Sequence, residues 1–207
     1  MDASAWDERY SQTDLVWGAP PNAVVVEQAT SLPRGRALDL ACGEGRNALW
    51  LATRGWEVTG LDYSAVALDK ARRVAAEAPR SVRERLDYRV ADVTDSDLGG
   101  PYDLVLMIYL HLAADDRLRA VNHAISALKP DGILMILGHD AINVPEGVGG
   151  PQDTEILYTP DILVSEIGGR LDIDIAERRY RDTDAGTAID ALVVARRPSL
   201  GSEVNRA

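Results

Sequence analysis

The feature that most constrains the fold is an apolar segment that leads directly into a glycine turn, Ala37-Leu38-Asp39-Leu40-Ala41-Cys42-Gly43-Glu44-Gly45-Arg46-Asn47. The apolar residues before the turn predict a buried strand, and those after it predict a helix. A strand, a glycine turn and a helix make up the first half of a βαβ unit, from which parallel α/β sheets are built. The chain is therefore expected to be an α/β protein that binds a ligand where its first strand ends.

The same alternation of strands and helices continues along the chain. Strands are predicted over 36–42, 57–63, 86–93, 103–109 and 133–137, and helices over 5–12, 23–32, 46–54, 64–78 and 115–128. Two further strands, 171–175 and 188–196, are joined by a turn too short for a crossover, so they must be antiparallel. We predict a three-layer αβα Rossmann-like sandwich with a mostly parallel seven-stranded sheet that ends in an antiparallel hairpin.

Length and composition limit the organisation and the partners. A chain of 207 residues suits one domain over 1–207, with an N-terminal cap segment 1–35, a core 36–197 and a tail 198–207. A net charge of −11 disfavours nucleic acid, and the apolar runs are too short to cross a membrane. A single cysteine and an N-terminus without signal-peptide order predict a cytoplasmic protein. We expect a monomer or a homodimer.

Three carboxylates occupy positions that suit a nucleoside ligand. Asp62 ends the second strand about twenty residues after the glycine turn, where a carboxylate can accept hydrogen bonds from both ribose hydroxyls. Asp39 lies inside the first strand, where it could hold an ammonium group and would repel a pyrophosphate. Asp92 follows the third strand and could accept a hydrogen bond from an adenine amino group. These residues predict a nucleoside-containing cofactor.

Two alternative functions are compatible with a glycine turn beside a nucleoside-binding site. The segment Gly43–Ala48 also satisfies the dinucleotide pattern G-x-G-x-x-[GA], so an NAD(P)-dependent oxidoreductase is the first alternative. A non-catalytic cofactor-binding protein that kept the fold and lost its acceptor site is the second. Asp39, Asp92 and the antiparallel end of the sheet favour a sulfonium nucleoside over a dinucleotide.

Several segments together resemble the class I S-adenosylmethionine-dependent methyltransferases. They are the run LDLACGEGRN, the acid in GLDYS, the ADV segment, the KPDG turn and the closing hairpin. The run from Gly45 to Ala52 resembles the tellurite-resistance and thiopurine-type small-molecule methyltransferases, whereas Ala41 stands where many relatives have a glycine. The resemblance implies S-adenosyl-L-methionine as the cofactor, S-adenosyl-L-homocysteine as the product, and in-line transfer of a methyl group to a small molecule.

The resemblance also implies a set of cofactor-binding residues. The methionine part would lie against Asp39, Ala41, Gly43, Gly45, Arg46 and Asn47, the ribose and adenine against Asp62, Tyr63, Asp92 and Val93, and the amino group near Ile108 and Tyr109. An aromatic N-terminal cap would add Tyr10 and Trp17.

The acceptor is expected beyond the fourth and fifth strands, because ligands of open α/β sheets bind at the carboxyl ends of the strands. Candidate contacts there are His111, His139 and Asp140, and an irregular loop over 141–159 is predicted to cover the site and to contribute Tyr158. His139 is the candidate general base for a hydroxyl acceptor, because imidazole titrates near neutrality. Its alternative role is structural, with the ring bonded to a backbone carbonyl.

The nucleophile stays open among oxygen, sulfur, nitrogen and chalcogen, since a thiol, an amine or a soft anion would need no base. Three scattered histidines and one cysteine give no metal-ligand spacing, so no metal is predicted.

Overall fold

The structure is a computed structural model that describes residues 3–12, 15, 20–95 and 97–199. The chain divides into two compact units, Met1–Ser96 and Asp97–Ala207. Its strands form a seven-stranded sheet in the order β3-β2-β1-β4-β5-β7-β6. The organisation as one domain with a cap, a core and a tail stays a prediction.

The N-terminal unit contains three parallel strands. They are β1 (Arg36–Leu40), β2 (Glu57–Asp62) and β3 (Leu86–Val90). The helices are α1 (Ala3–Ser11), α2 (Ala23–Ala29), α3 (Arg46–Thr53), α4 (Ala65–Ala76) and the short α5 (Arg80–Arg83). After their first residues β1 and β2 are fully buried, as apolar strands of a parallel sheet should be. Helix α4 begins after Ser64, whose hydroxyl oxygen accepts the N–H of Ala67 at 3.1 Å.

The C-terminal unit contains the other four strands. They are β4 (Tyr102–Ile108), β5 (Leu128–His139), β6 (Asp172–Thr183) and β7 (Gly186–Arg196). Between them lie α6 (Ala114–Ala127), α7 (Asn143–Glu146), a 3₁₀ turn (Thr154–Ile156) and α8 (Pro160–Ile167). Strand β4 is parallel to β5, whereas β7 is antiparallel to both β5 and β6. The prediction of a mostly parallel sheet that ends in an antiparallel hairpin is confirmed.

Several predicted boundaries were wrong. Strand β6 runs over Asp172–Thr183 rather than 171–175, because its second half is rich in exposed charged residues that the sequence pattern does not identify as a strand. Strand β5 begins at Leu128 and includes the KPDG turn, with Asp131 in the left-handed region at φ 64°. Strand β3 ends at Val90, three residues before the predicted end at Val93.

The segment predicted as an irregular loop, 141–159, contains α7 and the 3₁₀ turn. Helix α8 was not predicted, although it has a sequence signal for its start: Thr159 caps it and Pro160 is its first residue. Among the described residues, no helix is both long enough and apolar enough to span a membrane.

Candidate functional site

The glycine turn of the N-terminal unit is built from left-handed backbone. Ala41, Gly43 and Gly45 have φ values of 54°, 55° and 76°, a region that costs a residue with a side chain more than it costs glycine. Two hydrogen bonds tie the turn to β2: the N–H of Cys42 donates to the carbonyl of Leu61 at 2.9 Å, and the N–H of Gly43 donates to Asp62 Oδ2 at 2.8 Å. The turn is therefore fixed by the strand beside it.

Asp39 is a buried carboxylate with an unused oxygen. Its side chain is 1 % exposed, and Oδ2 has no hydrogen-bond partner among the described residues. Burial raises its pKa to about 7, although the N–H of Ala48 and the charge of Arg46 oppose this shift. A buried carboxylate oxygen without a donor is costly, so this site fits a ligand that brings a positive charge.

Asp62 connects the end of β2 to the glycine turn. Its Oδ1 accepts the N–H of Ser64 at 2.9 Å, while Oδ2 accepts the N–H of Gly43. Burial raises the pKa of Asp62, and the hydrogen bonds from Ser64 and Gly43 oppose that shift. Each carboxylate oxygen has two lone pairs, so both can still accept a ribose hydroxyl. The N-cap of α4 is Ser64, so Asp62 is not needed to cap that helix.

Tyr88 packs against Gly45 of the glycine turn, a contact that the sequence pattern did not predict. A Cβ built on Gly45 would lie 2.5 Å from the Tyr88 hydroxyl, and one on Gly60 would lie 2.7 Å from the Tyr88 ring. The hydroxyl is buried without a partner among the described residues, and burial raises its pKa well above the usual range. The available signal was that β3 buries a single residue, and that residue is aromatic.

The N-terminal helix docks against the start of α4. Asp7 Oδ1 accepts the hydroxyl of Ser64 at 2.5 Å and the N–H of Val66 at 3.3 Å. Tyr10 is buried, and Lys70 Nζ lies 6.0 Å from the centre of its ring. Trp17, the other aromatic residue predicted for the cap, lies outside the described residues.

The remaining predicted cofactor residues of this unit are placed as follows. Asn47 is buried and its Oδ1 accepts the N–H of Asn22 at 2.9 Å. Asp92 is exposed, and its Oδ1 accepts both the N–H and the hydroxyl of Thr94. Val93 is buried, while Tyr63 and Arg46 are half-buried. Their contacts with a cofactor stay predictions.

In the C-terminal unit, Ile108 ends β4 and Tyr109 follows it in the left-handed region at φ 57°. The N–H of Tyr109 donates to the carbonyl of Leu137 at 2.6 Å, which aligns the ends of β4 and β5. The Tyr109 ring lies 5.1 Å from that of His139, and the rings of His111 and His139 are stacked 5.5 Å apart. The predicted acceptor residues His111 and His139 are thus brought together.

Asp190 on β7 is the acidic centre of this cluster. Its Oδ2 accepts the hydroxyl of Tyr109 at 2.8 Å and Nε–H of Arg181 at 3.0 Å, and its Oδ1 lies 3.2 Å from His139 Nδ1. Burial alone would raise the pKa of Asp190, but the contacts from His139, Arg181 and Tyr109 hold it below its usual value. Sequence reasoning missed Asp190, although it is the one charged residue in the apolar run 188–195.

His111 has a different environment from His139. Its Nε2 accepts the backbone N–H of His139 at 3.0 Å. Burial, and then the neighbouring His139, lower its pKa to about 4, so the imidazole is neutral near pH 7. The His111 ring also stacks on that of Tyr158, with the ring centres 5.8 Å apart.

Tyr158 and Asp140 are more deeply buried. The Tyr158 hydroxyl has no hydrogen-bond partner among the described residues, and a Cβ on Gly138 would overlap it. Asp140 uses both oxygens within the chain, because Oδ2 accepts Nε–H of Arg178 at 2.9 Å and Oδ1 accepts the N–H of Ile142 at 2.9 Å. Asp140 therefore anchors the segment that follows β5.

Asn143 holds that segment against β7. Its Nδ2 donates to the carbonyl of Gly149 at 2.9 Å, and its Oδ1 accepts the N–H of Ile189 at 2.7 Å. The start of the predicted covering loop is thus pinned beside Asp190. Within the ranges that the structure describes, no three His, Cys, Asp or Glu side chains gather in a way that could hold a metal ion.

Comparison with known proteins gives three kinds of match. Residues 37–132 match a family model described as a methyltransferase domain. The chain is 31% identical over 166 residues to the putative methyltransferase YqeM of Bacillus subtilis, covering 75% of this chain and 63% of that protein. It is 28% identical over 156 residues to thiocyanate methyltransferase 1 of Arabidopsis thaliana, covering 73% and 66%. The chain thus spans less than two thirds of the length of these two relatives.

Among solved structures, the glycopeptide N-methyltransferase MtfA in complex with (S)-adenosyl-L-methionine has a TM-score of 0.70 at 24% identity. The match covers 88% of this chain and 89% of that chain. It confirms the predicted Rossmann-like fold.

The fold, the glycine turn and these matches support the prediction of a class I S-adenosylmethionine-dependent methyltransferase. The segment that matches the methyltransferase domain family is 37–132, just under half of the chain. The likeness to the tellurite-resistance and thiopurine-type group stays a prediction.

Proposed function

We propose that this protein transfers the methyl group of S-adenosylmethionine to a small-molecule acceptor and releases S-adenosylhomocysteine. The observation that carries the proposal is the buried, unpartnered Oδ2 of Asp39 beside a turn of left-handed backbone. A ligand with an ammonium group would give this oxygen its missing donor, whereas the phosphates of a dinucleotide would be repelled. S-adenosylmethionine carries such an ammonium group on its amino-acid part.

The residues of the N-terminal unit fit this cofactor. Asp39 would hold the ammonium group, Asp62 would accept the ribose hydroxyls, and Asp92 would accept the adenine amino group. The bound cofactor supplies a methyl group that is already activated by a sulfonium. The protein therefore has to bind, orient and exclude water, and those effects account for much of the acceleration of such a displacement.

Two observations support a small acceptor. The net charge of −11 is unfavourable for a phosphate backbone. The thiocyanate methyltransferase among the relatives acts, by its name, on a small anion. The acceptor contacts would come from the C-terminal unit, where His111, His139 and Tyr158 form one aromatic cluster. His139 would serve as the base for an acceptor that has a proton to lose.

Calorimetric titration tests the cofactor assignment. S-adenosylmethionine and S-adenosylhomocysteine are expected to bind with one site per chain, and NAD is expected not to bind. A panel of phenols, thiols, amines and inorganic chalcogen anions, assayed by release of S-adenosylhomocysteine, then identifies the acceptor class. Saturable NAD binding together with no S-adenosylmethionine binding would contradict the proposal.

Asp62→Ala is expected to weaken S-adenosylmethionine binding by about 1.5 to 3 kcal/mol, the scale of losing hydrogen bonds to a charged acceptor. Because Asp62 also holds the N–H groups of Gly43 and Ser64, Asp62→Asn should be measured beside it. The asparagine retains one oxygen for the backbone. Asp87→Asn, at an exposed carboxylate on β3, is the control and should leave affinity unchanged. If both Asp62 variants bound S-adenosylmethionine with unchanged affinity in calorimetry, Asp62 would not be a ribose ligand.

A further inference from the structure

Asp190 faces His139 across the sheet. The two residues are direct partners in the antiparallel register of β5 and β7. The hydroxyl of Tyr109 and Nε–H of Arg181 both donate to Asp190 Oδ2. The other carboxylate oxygen, Oδ1, is left for the imidazole. Asp190 Oδ1 lies 3.2 Å from His139 Nδ1, but the two groups are not aligned as a hydrogen bond. Neither atom has another partner among the described residues. Catalytic hydrogen bonds are often long in ligand-free proteins and tighten when substrate binds.

This arrangement selects one tautomer of His139. A carboxylate 3.2 Å from Nδ1 repels a lone pair there and attracts a proton. In a neutral imidazole only one nitrogen carries a proton, so protonation at Nδ1 leaves the lone pair on Nε2. His139 is thereby oriented to accept a proton at Nε2.

His111 cannot take this role in the same way. Its Nε2 lone pair already accepts the backbone N–H of His139. It holds the backbone of His139 in place and contributes a neutral ring to the stack. Of the two adjacent histidines, His139 is the one with an acidic partner.

Gly150 packs against the imidazole ring of His139. Its φ is 72°, and a Cβ at that position would lie 2.7 Å from Cδ2 and 2.8 Å from both Cγ and Nε2. A side chain at 150 would therefore overlap the ring, whereas glycine leaves the imidazole in place.

We propose that Asp190 is a positioning residue that makes His139 a general base, and that the methyl acceptor is a hydroxyl compound. This inference rests on the proposed methyl-transfer function. The acceptor O–H proton moves to His139 Nε2 as the new O–C bond forms. The C–S bond of the sulfonium donor breaks in the same step, and its electron pair returns to sulfur. The imidazolium that results is stabilised by the Asp190 carboxylate.

The hydroxyl class follows from what a base is needed for. A thiol or a soft anion presents an adequate nucleophile near neutral pH, and a neutral amine has a free lone pair. An alcohol or phenol is mostly protonated at that pH, and general-base assistance contributes about 10² to 10⁴ in rate. A buried Asp190 linked to His139, Arg181 and Tyr109 would have little purpose beside a nucleophile that needs no base.

The kinetic test uses phenol and thiophenol as probes with the same ring and different nucleophiles. His139→Ala is expected to lower turnover of phenol about 100-fold or more, and Asp190→Asn about 10-fold or more, while thiophenol turnover changes by less than about threefold. Arg196→Gln breaks an exposed pair with Asp174 on the strand that carries Asp190, at the end far from His139, and is the matched control.

A second measurement does not depend on any acceptor. Nitrogen-15 NMR of the imidazoles is expected to show His139 with its proton on Nδ1 in the native protein and a mixture of tautomers in Asp190→Asn. A proton fixed on Nε2, or a tautomer unaffected by Asp190→Asn, would overturn the inference. Thermal unfolding of Asp190→Asn separates loss of positioning from loss of folding.

Experiments can distinguish failure of the Asp190–His139 inference from failure of the proposed methyl-transfer function. If methyl transfer occurs but survives His139→Ala at the native rate, the dyad inference is wrong and the proposed function stands. If no acceptor in the panel is methylated although S-adenosylmethionine binds, the proposed function itself is wrong.

Discussion

Replacing Asp39 with asparagine is expected to weaken S-adenosylmethionine binding about 100-fold or more and, at the same time, to stabilise the ligand-free protein. The affinity falls because the variant loses a carboxylate that faces the ammonium group, and truncating one member of a buried charge pair costs about 2 to 5 kcal/mol. The stability rises because the free protein no longer has to bury a carboxylate with an unpartnered oxygen. Calorimetry and urea unfolding measure the two effects separately.

The effect of Asp39→Asn on the free energy of unfolding depends on pH. Burial raises the folded-state pKa of Asp39 to about 7, above the value of about 3.9 expected in the unfolded chain. Below about pH 4 the residue is protonated in both states and costs nothing. As the pH rises towards 7 and above, the unfolded chain gains from ionisation that the folded protein resists, so the native protein loses up to about 4 kcal/mol.

Asp39→Asn should therefore be close to neutral for stability at about pH 4 and most stabilising at pH 8. Asp69→Asn, at an exposed residue on α4, is the control and should change the unfolding free energy by less than about 0.5 kcal/mol at either pH. Binding of S-adenosylmethionine to the native protein near pH 7 should release protons, measurable by calorimetry in buffers of different ionisation enthalpy. Equal stability of native protein and variant at pH 8 would show that Asp39 is not a strained carboxylate.

The sequence indicated Asp39 because a single acid within an apolar strand has few structural explanations. The same signal was present at Asp190, one charged residue within the apolar run 188–195, but it was not used. Its significance depends on the residue opposite, and His139 becomes its partner only through the register of β5 and β7. Strand register over a separation of about fifty residues is set by packing of the whole sheet, so local patterns do not contain it.

Backbone geometry is a second property of the site that the sequence predicts only in part. The turn at Gly43 and Gly45 is predictable, because glycine is the residue that left-handed backbone favours. Tyr109 adopts φ 57° without any local signal, and this conformation carries its hydroxyl to Asp190. The covering loop was predicted from its glycines and prolines, but Asn143, which pins it, looks like any polar loop residue. Such roles arise from tertiary contacts alone.

Arg117→Met is expected to destabilise the protein by about 3 to 5 kcal/mol, because it leaves Glu166 buried without its partner. Arg117 on α6 donates to Glu166 on α8 through Nε at 3.0 Å and Nη2 at 2.7 Å, and both side chains are largely buried. The same guanidinium donates to the carbonyl of Leu112 at 3.2 Å and lies over the ring of Tyr158. It therefore connects two helices to the residues that adjoin His111.

Arg119→Met is the matched control, since Arg119 lies on the same helix and its pair with Asp116 is exposed. Exposed pairs of this spacing contribute about 0.3 to 0.5 kcal/mol, so urea unfolding should distinguish the two variants without ambiguity. In the double variant Arg117→Met, Glu166→Met, most of the loss should be recovered, because two apolar side chains replace two buried charges. If the double variant were as unstable as Arg117→Met alone, the loss would come from the Leu112 and Tyr158 contacts. Arg117 would then hold the aromatic cluster in place rather than join the two helices.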